Sequence, residues 1–423
     1  MLARRDSRRV FTVATIVTLL CLIYLTLSPS WSFAATRKPS VFEPVSRYEA
    51  PFATDLDAPA VRKSKRNMRI ALINTPKYHF EVVIPLLDAF SHTSHTQLEL
   101  FVNHTSAERM NALPFLQQAA SGELIMRRWE ELRSSELMYR PDIAVLTSCS
   151  RDLEDLGDMF TNPDSPSSPH EIVCVIHEAP EWEDPESPWR KILQPWVERS
   201  RVNFVVLSEH VHRFVAEHFY EPWNVTSSPI KLNDYFPSPA LAERHPGSVR
   251  LLPAFPPVFD PTPLFPKKSA VELPPEPFAL IPGKFEPWRR NYNTIFEHTR
   301  KHLSLIREYG ASIQLLGSGP PPDIPEDLQD VIHIVPELDF DQYWAFASRA
   351  TALFPAFAHN QYLIDRASSS IATSVIVGIP VVGTHELVFD KYTYLESGPS
   401  ARTSWIQGDG EEEMEVFARI KET

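Results

Sequence analysis

The stretch FALIPGKFEPWRRNYNTIFEHTRKHLSLIREYGASIQLLGSGP, residues 278–320, decides the fold. Its opening part, 278–285, is an apolar run that predicts a buried strand. Residues 293–310 follow with the 3.6-residue period of a helix, which we expect to end at Gly310. Residues 312–320 predict a second buried strand with a glycine turn. A strand, a helix and another buried strand form the repeating unit of a parallel sheet covered by helices on both faces.

The same alternation continues on both sides of this stretch. Toward the C-terminus, the predicted strands are 331–338, 351–357 and 379–384, and the predicted helices are 341–350 and 368–378. Toward the N-terminus, the predicted strands are 69–75, 97–104, 142–149, 171–177, 202–208 and 249–255, and the predicted helices are 80–91 and 208–219, the latter with Ser208 as N-cap.

A proline-rich segment, 253–277, separates the two groups of elements. Neither a helix nor a central strand tolerates so much proline, so this segment predicts a linker. We therefore predict an α/β fold in which two Rossmann-like doubly wound domains, 67–252 and 278–423, face a central cleft. In such sheets ligands bind at the carboxyl ends of the strands, which places the expected site in that cleft.

Before the first strand, the sequence predicts a membrane anchor. The uncharged run VFTVATIVTLLCLIYLTL, residues 10–27, would span roughly 27 Å as a helix, which is enough to cross a bilayer. The arginines in residues 1–9 should stay in the cytosol, so we expect a single-pass type II protein whose catalytic part lies in the lumen of the endoplasmic reticulum or Golgi. Residues 28–66 then predict a luminal stem. A cleaved signal peptide is the alternative, because SFAA at 32–35 offers small residues near a cleavage point.

Charge, sequons and cysteines narrow the function classes. The 54 acidic and 41 basic residues give a net charge of −13, which argues against a nucleic-acid partner because such proteins need a basic surface. Sequons at Asn103 and Asn224 predict N-glycosylation sites in a luminal chain. Cys149 and Cys174 could pair in an oxidising lumen or remain two buried thiols, and their strand-like surroundings favour the thiols.

The C-terminal half carries four motifs: LIPGKFEPWRRNYNTIF (280–296), IQLLGSGP (313–320), ATALFPAF (350–357) and SIATSVIVGIPVVGT (370–384). In these motifs the sequence resembles the donor domain of GT-B glycosyltransferases, especially the retaining glycosyltransferase family 4. The resemblance implies a transferase that moves a hexose, with mannose as one candidate, from a nucleotide-sugar to a hydroxyl of a glycan, lipid or protein. It also implies retention of anomeric configuration, with no metal and no cofactor besides the nucleotide-sugar co-substrate.

Four residues of the first motif are predicted to bind the donor. The resemblance implies that Gly283 forms the turn, that Lys284 is its base, and that Arg289 or Arg290 is a second base. A diphosphate leaving group gains negative charge as the glycosidic bond breaks, and fixed cations stabilise that charge. The alternative is a solvated basic loop.

The family's Glu-x7-Glu pattern falls on Asp365 and Thr373 in this sequence. The resemblance implies that Asp365 accepts hydrogen bonds from the sugar and that Thr373, in place of a glutamate, contacts ribose. Ser369 and Ser370 at the start of a predicted helix could bind phosphate through their hydroxyl and amide groups, or could be plain helix caps. The replacement at Thr373 favours a second hypothesis, a catalytically inactive GT-B relative that binds a glycan or a partner protein.

His177 and Glu178 follow a predicted strand at its carboxyl end, and we predict that they are the catalytic pair facing the cleft. The alternative is a structural histidine, which is common at strand ends. Asp339 and Asp341 imitate the Asp-x-Asp motif that binds metal in another glycosyltransferase fold. Because they stand at the start of a predicted helix, we interpret them as capping residues and expect no metal site.

Overall fold

The computed structural model describes residues 68–92, 96–120, 124–133, 140–184, 186–219, 250–252, 254–264, 277–397, 405–407, 415 and 417. The predicted cytosolic tail, anchor and stem (1–9, 10–27 and 28–66) and the sequon at Asn224 lie outside these residues. Within the described part of the chain, no helix is both long and apolar enough to cross a membrane.

The N-terminal sheet has seven parallel strands in the order β3-β2-β1-β4-β5-β6-β7. The order reverses between β1 and β4, which makes this the switch point of a doubly wound sheet. Only β3 lacks a predicted counterpart, because it is short and none of its residues is fully buried. The strands are β1 Met68–Asn74, β2 Thr96–Val102, β3 Ile125–Arg128, β4 Ile143–Leu146, β5 Glu171–Ile176, β6 Val202–Val206 and β7 Arg250–Leu251.

Helices cover both faces of this sheet and bury two apolar clusters. The helix predicted at 80–91 is confirmed. Ser208 takes the N-cap position of the last helix, but its hydroxyl is buried and makes no capping hydrogen bond. The helices are Phe80–Ser91, His104–Arg109, Leu113–Ala119, Cys149–Leu156, Pro188–Val197 and Glu209–His218.

The C-terminal sheet is also parallel, with four strands in the order β10-β9-β8-β11. The strand predicted at 379–384 pairs instead with a late strand in a separate two-stranded sheet, and a single parallel bridge between Leu353 and Val381 links the two sheets. The strands are β8 Phe278–Pro282, β9 Ser312–Leu316, β10 Ile332–Val335, β11 Ala352–Leu353, β12 Val382–Thr384 and β13 Trp405–Gln407.

The helix predicted at 293–310 is interrupted. His302 ends one helix and begins the next, so two shorter helices stand where one was expected. The helices here are Tyr292–Lys301, Leu303–Glu308, Phe340–Ala347, Gln361–Ile364, Ser369–Val377 and Tyr394–Ser397, with a π-helical turn at Glu386–Lys391. The chain thus contains two parallel-sheet α/β units, as the sequence predicts.

The two units are joined through a shared apolar core. Phe340 and Trp344 of the C-terminal unit pack edge-on against Phe115 and Phe259, respectively. Phe259 belongs to the proline-rich segment, so this part of the predicted linker is packed into the core. The backbone N–H of Phe340 also donates to the carbonyl of Met110 at 2.8 Å. These contacts seat the two sheets against each other.

A second junction lies at the carboxyl end of β5. Glu178 forms an antiparallel backbone bridge with Arg366, and the N–H of Ala179 donates to the carbonyl of Asp365 at 3.1 Å. The segment after β5 therefore touches a loop of the C-terminal unit. Because the loops after β1, β5 and β8 leave the same ends of their parallel strands, the residues they carry line the boundary between the two units.

Candidate functional site

The turn after β8 requires glycine at two positions. Gly283 has a φ of 131°, and a Cβ on it would lie 2.6 Å from Nη2 of Arg290. A Cβ on Gly317 would lie 1.7 Å from the carbonyl oxygen of Gly283. The turn is therefore pressed between the end of β9 and the Arg290 guanidinium, and side chains at these glycines would force it open.

Arg290 is the central side chain of this turn. Its side chain is buried, with 6% of the residue exposed. Nε and Nη2 donate to the carbonyl of Pro282 at 3.2 and 2.8 Å. Nη2 also donates to Oγ of Ser370 at 2.8 Å, and Nη1 donates to the carbonyl of Arg289 at 3.3 Å. These four bonds leave one N–H of Nη1 without a partner among the described residues.

No carboxylate in the described part of the chain forms an ion pair with Arg290. Burial lowers the pKa of the guanidinium, and the neighbouring tyrosines Tyr362 and Tyr292 partly oppose that change. A buried charge without a counterion is costly in free energy. The turn therefore holds a cation that an anionic ligand would complement.

The other two predicted bases differ from Arg290. Lys284 is exposed, and its ammonium group has no hydrogen bond or ion pair with a described residue. Arg289 forms an ion pair with Glu286 and stacks its guanidinium over the ring of Trp288 at 4.3 Å. Lys284 is thus available to a ligand, whereas Arg289 is already neutralised by a carboxylate.

The helix Ser369–Val377 begins beside Arg290. Ser369 is exposed at its first position. Ser370 is buried and accepts from Arg290, while its own hydroxyl donates to the carbonyl of Pro282 at 3.3 Å. The structure thus brings Gly283, Arg290 and Ser370 together, and Ser370 reaches any ligand only through Arg290.

Thr373 lies on the buried face of this helix. Its hydroxyl donates to the carbonyl of Ser369 at 2.9 Å and lies 3.0 Å from the hydroxyl of Tyr343, which donates to it in turn. A ribose would have to displace Tyr343 to reach this hydroxyl. The predicted ribose contact of Thr373 remains a prediction, and the side chain now has a structural partner.

Tyr343 lies between the two units. Burial raises the pKa of Tyr343 to about 12, the carboxylate of Glu81 adds to the rise, and the guanidinium of Arg290 opposes it. Glu81 belongs to the N-terminal unit and Arg290 to the C-terminal unit. Both charged groups therefore influence the pKa of one phenol at the boundary between the two units, which we call the N-terminal and C-terminal walls of the site.

Asp365 lies where the two units meet. Its side chain is mostly buried, and the Nε atom of Arg366 approaches its Oδ1 to 3.9 Å, too far for a hydrogen bond. Burial raises the pKa of Asp365, Arg366 lowers it, and the charges of Glu178 and Glu183 raise it further. A carboxylate oxygen without a hydrogen bond can accept one from a sugar hydroxyl, and the sugar contact that the resemblance implies for Asp365 stays a prediction.

The predicted catalytic pair occupies the end of β5. Nε2 of His177 donates to the carbonyl of Thr147 at 2.8 Å, and burial lowers the pKa of His177 to about 3, so the ring is neutral. Glu178 forms an ion pair with Arg366 at 3.3 Å. Both predicted roles stay predictions, but His177 is held by the backbone and Glu178 by a cation.

No sequence motif marks His79 and Glu81, which the structure places against His177. Nδ1 of His79 lies 3.2 Å from Oε1 of Glu81, and the rings of His79 and His177 are 4.2 Å apart between centroids. The one available signal was position, because His79 follows β1 at its carboxyl end through a short polar turn. A histidine with a carboxylate partner is a recurrent arrangement for moving protons.

Two further sequence expectations concern metal and cysteine. The described residues contain no group of three or more His, Cys, Asp or Glu side chains that could hold a metal ion. Asp339 takes the N-cap position of its helix, but its side chain makes no capping hydrogen bond. Cys149 and Cys174 form a disulfide between the start of a helix and β5, so the expectation of two free thiols was wrong.

Comparison with known proteins gives matches to solved structures alone. No family model and no curated protein matches the sequence. The chain is similar to the apo form of the lipopolysaccharide outer core galactosyltransferase WaaB, with 13% identity, coverage of 84% of this chain and 90% of that chain, and a TM-score of 0.40.

Two other similar structures carry different activities. The UDP-N-acetylglucosamine 2-epimerase from Rickettsia bellii has 14% identity, coverage of 84% and 88%, and a TM-score of 0.38. The N-terminal domain of trehalose-6-phosphate phosphatase from Candida albicans has 9% identity, coverage of 91% of both chains, and a TM-score of 0.41. These identities and TM-scores are too low to assign the chain to a family.

Proposed function

We propose that this protein is a GT-B glycosyltransferase that moves a hexose from a nucleotide-sugar to an acceptor hydroxyl. The observation that carries the proposal is Arg290, a buried guanidinium with no carboxylate partner in the described chain. It lies at a glycine turn after a parallel strand and bonds to Ser370 at the start of a helix. This is the position at which doubly wound domains bind phosphate groups.

The leaving group of such a reaction is a nucleoside diphosphate. As the anomeric C–O bond breaks, negative charge accumulates on the diphosphate, and a fixed cation that needs no reorganisation stabilises it. The free N–H of Arg290 and the unpaired ammonium of Lys284 supply this stabilisation, and the exposed hydroxyl of Ser369 adds a donor. Asp365 accepts from the transferred sugar. We propose that these groups act without a metal ion.

We also propose that residues 10–27 anchor the protein and that the catalytic part lies in the lumen of the endoplasmic reticulum or Golgi. The disulfide Cys149–Cys174 supports this location, because disulfides persist in oxidising compartments and are rare in the cytosol. Digestion of the cellular protein with a peptide N-glycosidase should raise its gel mobility. Asn103→Gln and Asn224→Gln single variants that each migrate between the glycosylated and the digested protein would confirm both sites, and a mobility that digestion does not change would contradict the luminal location.

Nucleotide binding is the first test of the proposed transferase. The melting temperature of the purified protein should rise with one of UDP, GDP or CMP and with the matching nucleotide-sugars. A ligand at 100 times its dissociation constant stabilises the fold by about 2.7 kcal/mol, which gives a measurable shift. Mannose transfer predicts that GDP and GDP-mannose are the responding pair.

Substitutions test whether the nucleotide binds at the glycine turn after β8. Lys284→Ala should weaken the response without changing the melting temperature of the free protein, because the Lys284 side chain has no partner among the described residues. Arg300→Ala is the matched control, since Arg300 pairs with Asp327 at 2.7 Å on the surface of the same unit. A clean melting transition with no response to any nucleotide would instead favour an inactive relative that binds a glycan or a partner.

A further inference from the structure

His210 connects the N-terminal unit to two separate segments of the C-terminal unit. It lies in the first turn of the helix Glu209–His218 and is 3% exposed. Its Nδ1 atom lies 2.9 Å from the carbonyl oxygen of Lys391, in the π-helical turn, and its Nε2 atom lies 2.9 Å from the carbonyl oxygen of Arg366. One buried ring therefore spans two loops across the boundary between the units.

The hydrogen bonds of this ring depend on its charge. A carbonyl oxygen only accepts hydrogen bonds. A neutral imidazole has one N–H group and one lone pair, whereas the imidazolium ion has two N–H groups. A neutral His210 can therefore donate to only one of its two carbonyls, and the other carbonyl oxygen then faces a nitrogen lone pair. The charged ring donates to both, so one proton sets the number of hydrogen bonds at this point of the boundary.

The C-terminal unit presents two cations and one phenol to the ring. Lys391 pairs with Glu386 at 3.2 Å, and Arg366 pairs with Glu178 at 3.3 Å. Tyr392 packs edge-on against the imidazole with 4.7 Å between the ring centroids, and burial keeps its hydroxyl protonated by raising its pKa. No described carboxylate forms an ion pair with the imidazole. The two carbonyls are therefore the groups that favour its charged form.

The helix of His210 itself contributes Glu209, His212 and Arg213 as titratable or charged neighbours. Arg213 donates to the carbonyl of Asp390, which joins the same two elements whatever the pH. Burial lowers the pKa of His210, the bonds to the two carbonyls raise it, and the nearby cations lower it, which leaves the pKa below its ordinary value. The ring therefore takes up its proton on the acid side of neutrality.

We propose that His210 is a proton-operated clamp between the two units. When the buried ring takes up a proton, it forms its second hydrogen bond, and the loop at Arg366 and the turn at Lys391 are both held against the helix. Loss of the proton releases one of these two segments. The clamped loop also carries Asp365, so the proton sets how firmly this part of the C-terminal wall is held. The proposal goes beyond the transferase function and does not depend on it.

Hydrogen exchange of the full chain, measured by mass spectrometry, tests the clamp without any substrate. The backbone N–H of Ser368 donates to the hydroxyl of Tyr392 at 3.1 Å, and the N–H of Tyr392 donates to the carbonyl of Leu387 at 3.0 Å. These two amides lie next to the clamped carbonyls. Their exchange, corrected for the intrinsic effect of pH, should be about 10-fold slower at about pH 5.5 than at about pH 8, because the charged donor adds a hydrogen bond. The amides of β8 report any global change.

Substitutions test whether this pH dependence comes from His210. His210→Gln keeps a donor group that does not titrate, so the pH dependence should disappear. His210→Phe keeps a ring against Tyr392 but removes both donors, so exchange should be fast at both pH values. The matched control is His218→Gln on the same helix. The Nδ1 atom of His218 bonds to the carbonyl of Phe214 within that helix at 2.8 Å, so this variant should keep the wild-type pH dependence.

Nitrogen NMR of the wild-type chain, labelled in its histidines, gives a second measurement that does not depend on how well a variant folds. The histidine signals should include one ring that is shielded from solvent and has two N–H groups at about pH 5.5 and one at about pH 8. Their loss in a folded His210 variant assigns these signals.

The outcomes separate the clamp from the transferase. The clamp is refuted if the two amides exchange at the same corrected rate at both pH values or faster at acid pH, or if His210→Gln keeps the wild-type dependence. It is also refuted if no shielded ring has two N–H groups at about pH 5.5. A chain that binds no nucleotide but shows the pH-dependent exchange would contradict the transferase alone.

Discussion

The two walls of the site are held together in different ways. On the N-terminal wall, the disulfide Cys149–Cys174 ties the helix after β4 to β5, and both cysteines are fully buried. On the C-terminal wall, Arg290 plays the equivalent part by bonding the end of β8 to Ser370 on a neighbouring helix. One brace is covalent and uncharged, and the other is a buried cation.

This difference explains what each wall can do chemically. A disulfide is uncharged and needs no counterion, so this brace places no demand for a ligand on the N-terminal wall. A buried guanidinium with only neutral partners retains its need for negative charge, so the C-terminal wall attracts an anion. We therefore expect the diphosphate of the proposed reaction to bind at the C-terminal wall.

Removal of the Arg290 side chain, the charged brace, should lower the free energy of unfolding the most. Arg290→Ala leaves the buried carbonyl of Pro282 and the hydroxyl of Ser370 with fewer partners, at about 1–3 kcal/mol each, and adds a cavity. We expect the free energy of unfolding to fall by about 4 kcal/mol, measured by urea denaturation. Arg307→Ala on the same unit should cost far less, because its pair with Asp330 is exposed and screened by solvent. A loss as small as the control's would show that Arg290 is not a brace.

Removal of the Cys149–Cys174 disulfide, the covalent brace, should give the next largest loss in the free energy of unfolding. The bonded cysteines are 25 residues apart, and closing a loop of that length stabilises a fold by about 3 kcal/mol. The Cys149→Ala, Cys174→Ala double variant should lose this amount in urea denaturation. A reductant should destabilise the wild-type chain similarly and leave the double variant unchanged; equal behaviour of both chains in reductant would rule out the bond.

Two buried titratable groups behind the N-terminal wall should give opposite pH effects. Asp152 accepts hydrogen bonds from the backbone N–H groups of Thr75 and Ser148, and burial raises its pKa from 3.8 to about 7. The folded chain therefore holds this proton more tightly than the unfolded chain. Its contribution to the free energy of unfolding should decline as pH rises from about 4 to about 7.

His177 should act in the reverse direction. Burial lowers its pKa from 6.5 to about 3, so the unfolded chain binds the proton more tightly. Its contribution to stability should be complete above about pH 6.5 and decline as pH falls toward 3. Urea denaturation from pH 4 to 8 gives the free energy of unfolding as a function of pH. His177→Gln should reduce the loss of stability toward acid pH, and Asp152→Asn should reduce the loss of stability as pH rises toward 7. Parallel profiles for both variants would contradict these assignments.

Removal of the ion pair between Glu178 and Arg366, which links the two walls, should have the smallest effect on stability. Glu178→Gln removes the ion pair with Arg366, whose side chains are 34% and 19% exposed, but keeps the backbone bridge between the two residues. A half-exposed pair contributes under about 1 kcal/mol and is screened by salt. We expect a small drop in melting temperature that disappears at high salt. A large drop that persists in salt would mean that the pair, and not the backbone, joins the walls.

Most of the described strands followed from the sequence because their signals are local, whereas several short helices were not predicted. Apolar β-branched runs such as 171–177 and 202–208 predicted buried parallel strands, and the apolar spacing of 80–91 predicted its helix. The failures have local reasons too. The strand β3 is too short and too polar to show a pattern, and His302 interrupts a helix whose apolar period continues across it.

The candidate site was likewise predicted only in part. The sequence alone determined two parallel α/β sheets and a glycine turn with basic residues, because these depend on local periodicity and turn chemistry. Only the tertiary structure decided that Arg290 is buried against Ser370, which lies 80 residues further along the chain. It also decided that Thr373 is bonded to Tyr343, that the two cysteines pair, and that His79 lies between Glu81 and His177. Such contacts join side chains from separate elements, and no local pattern encodes which of them meet when the sheets pack.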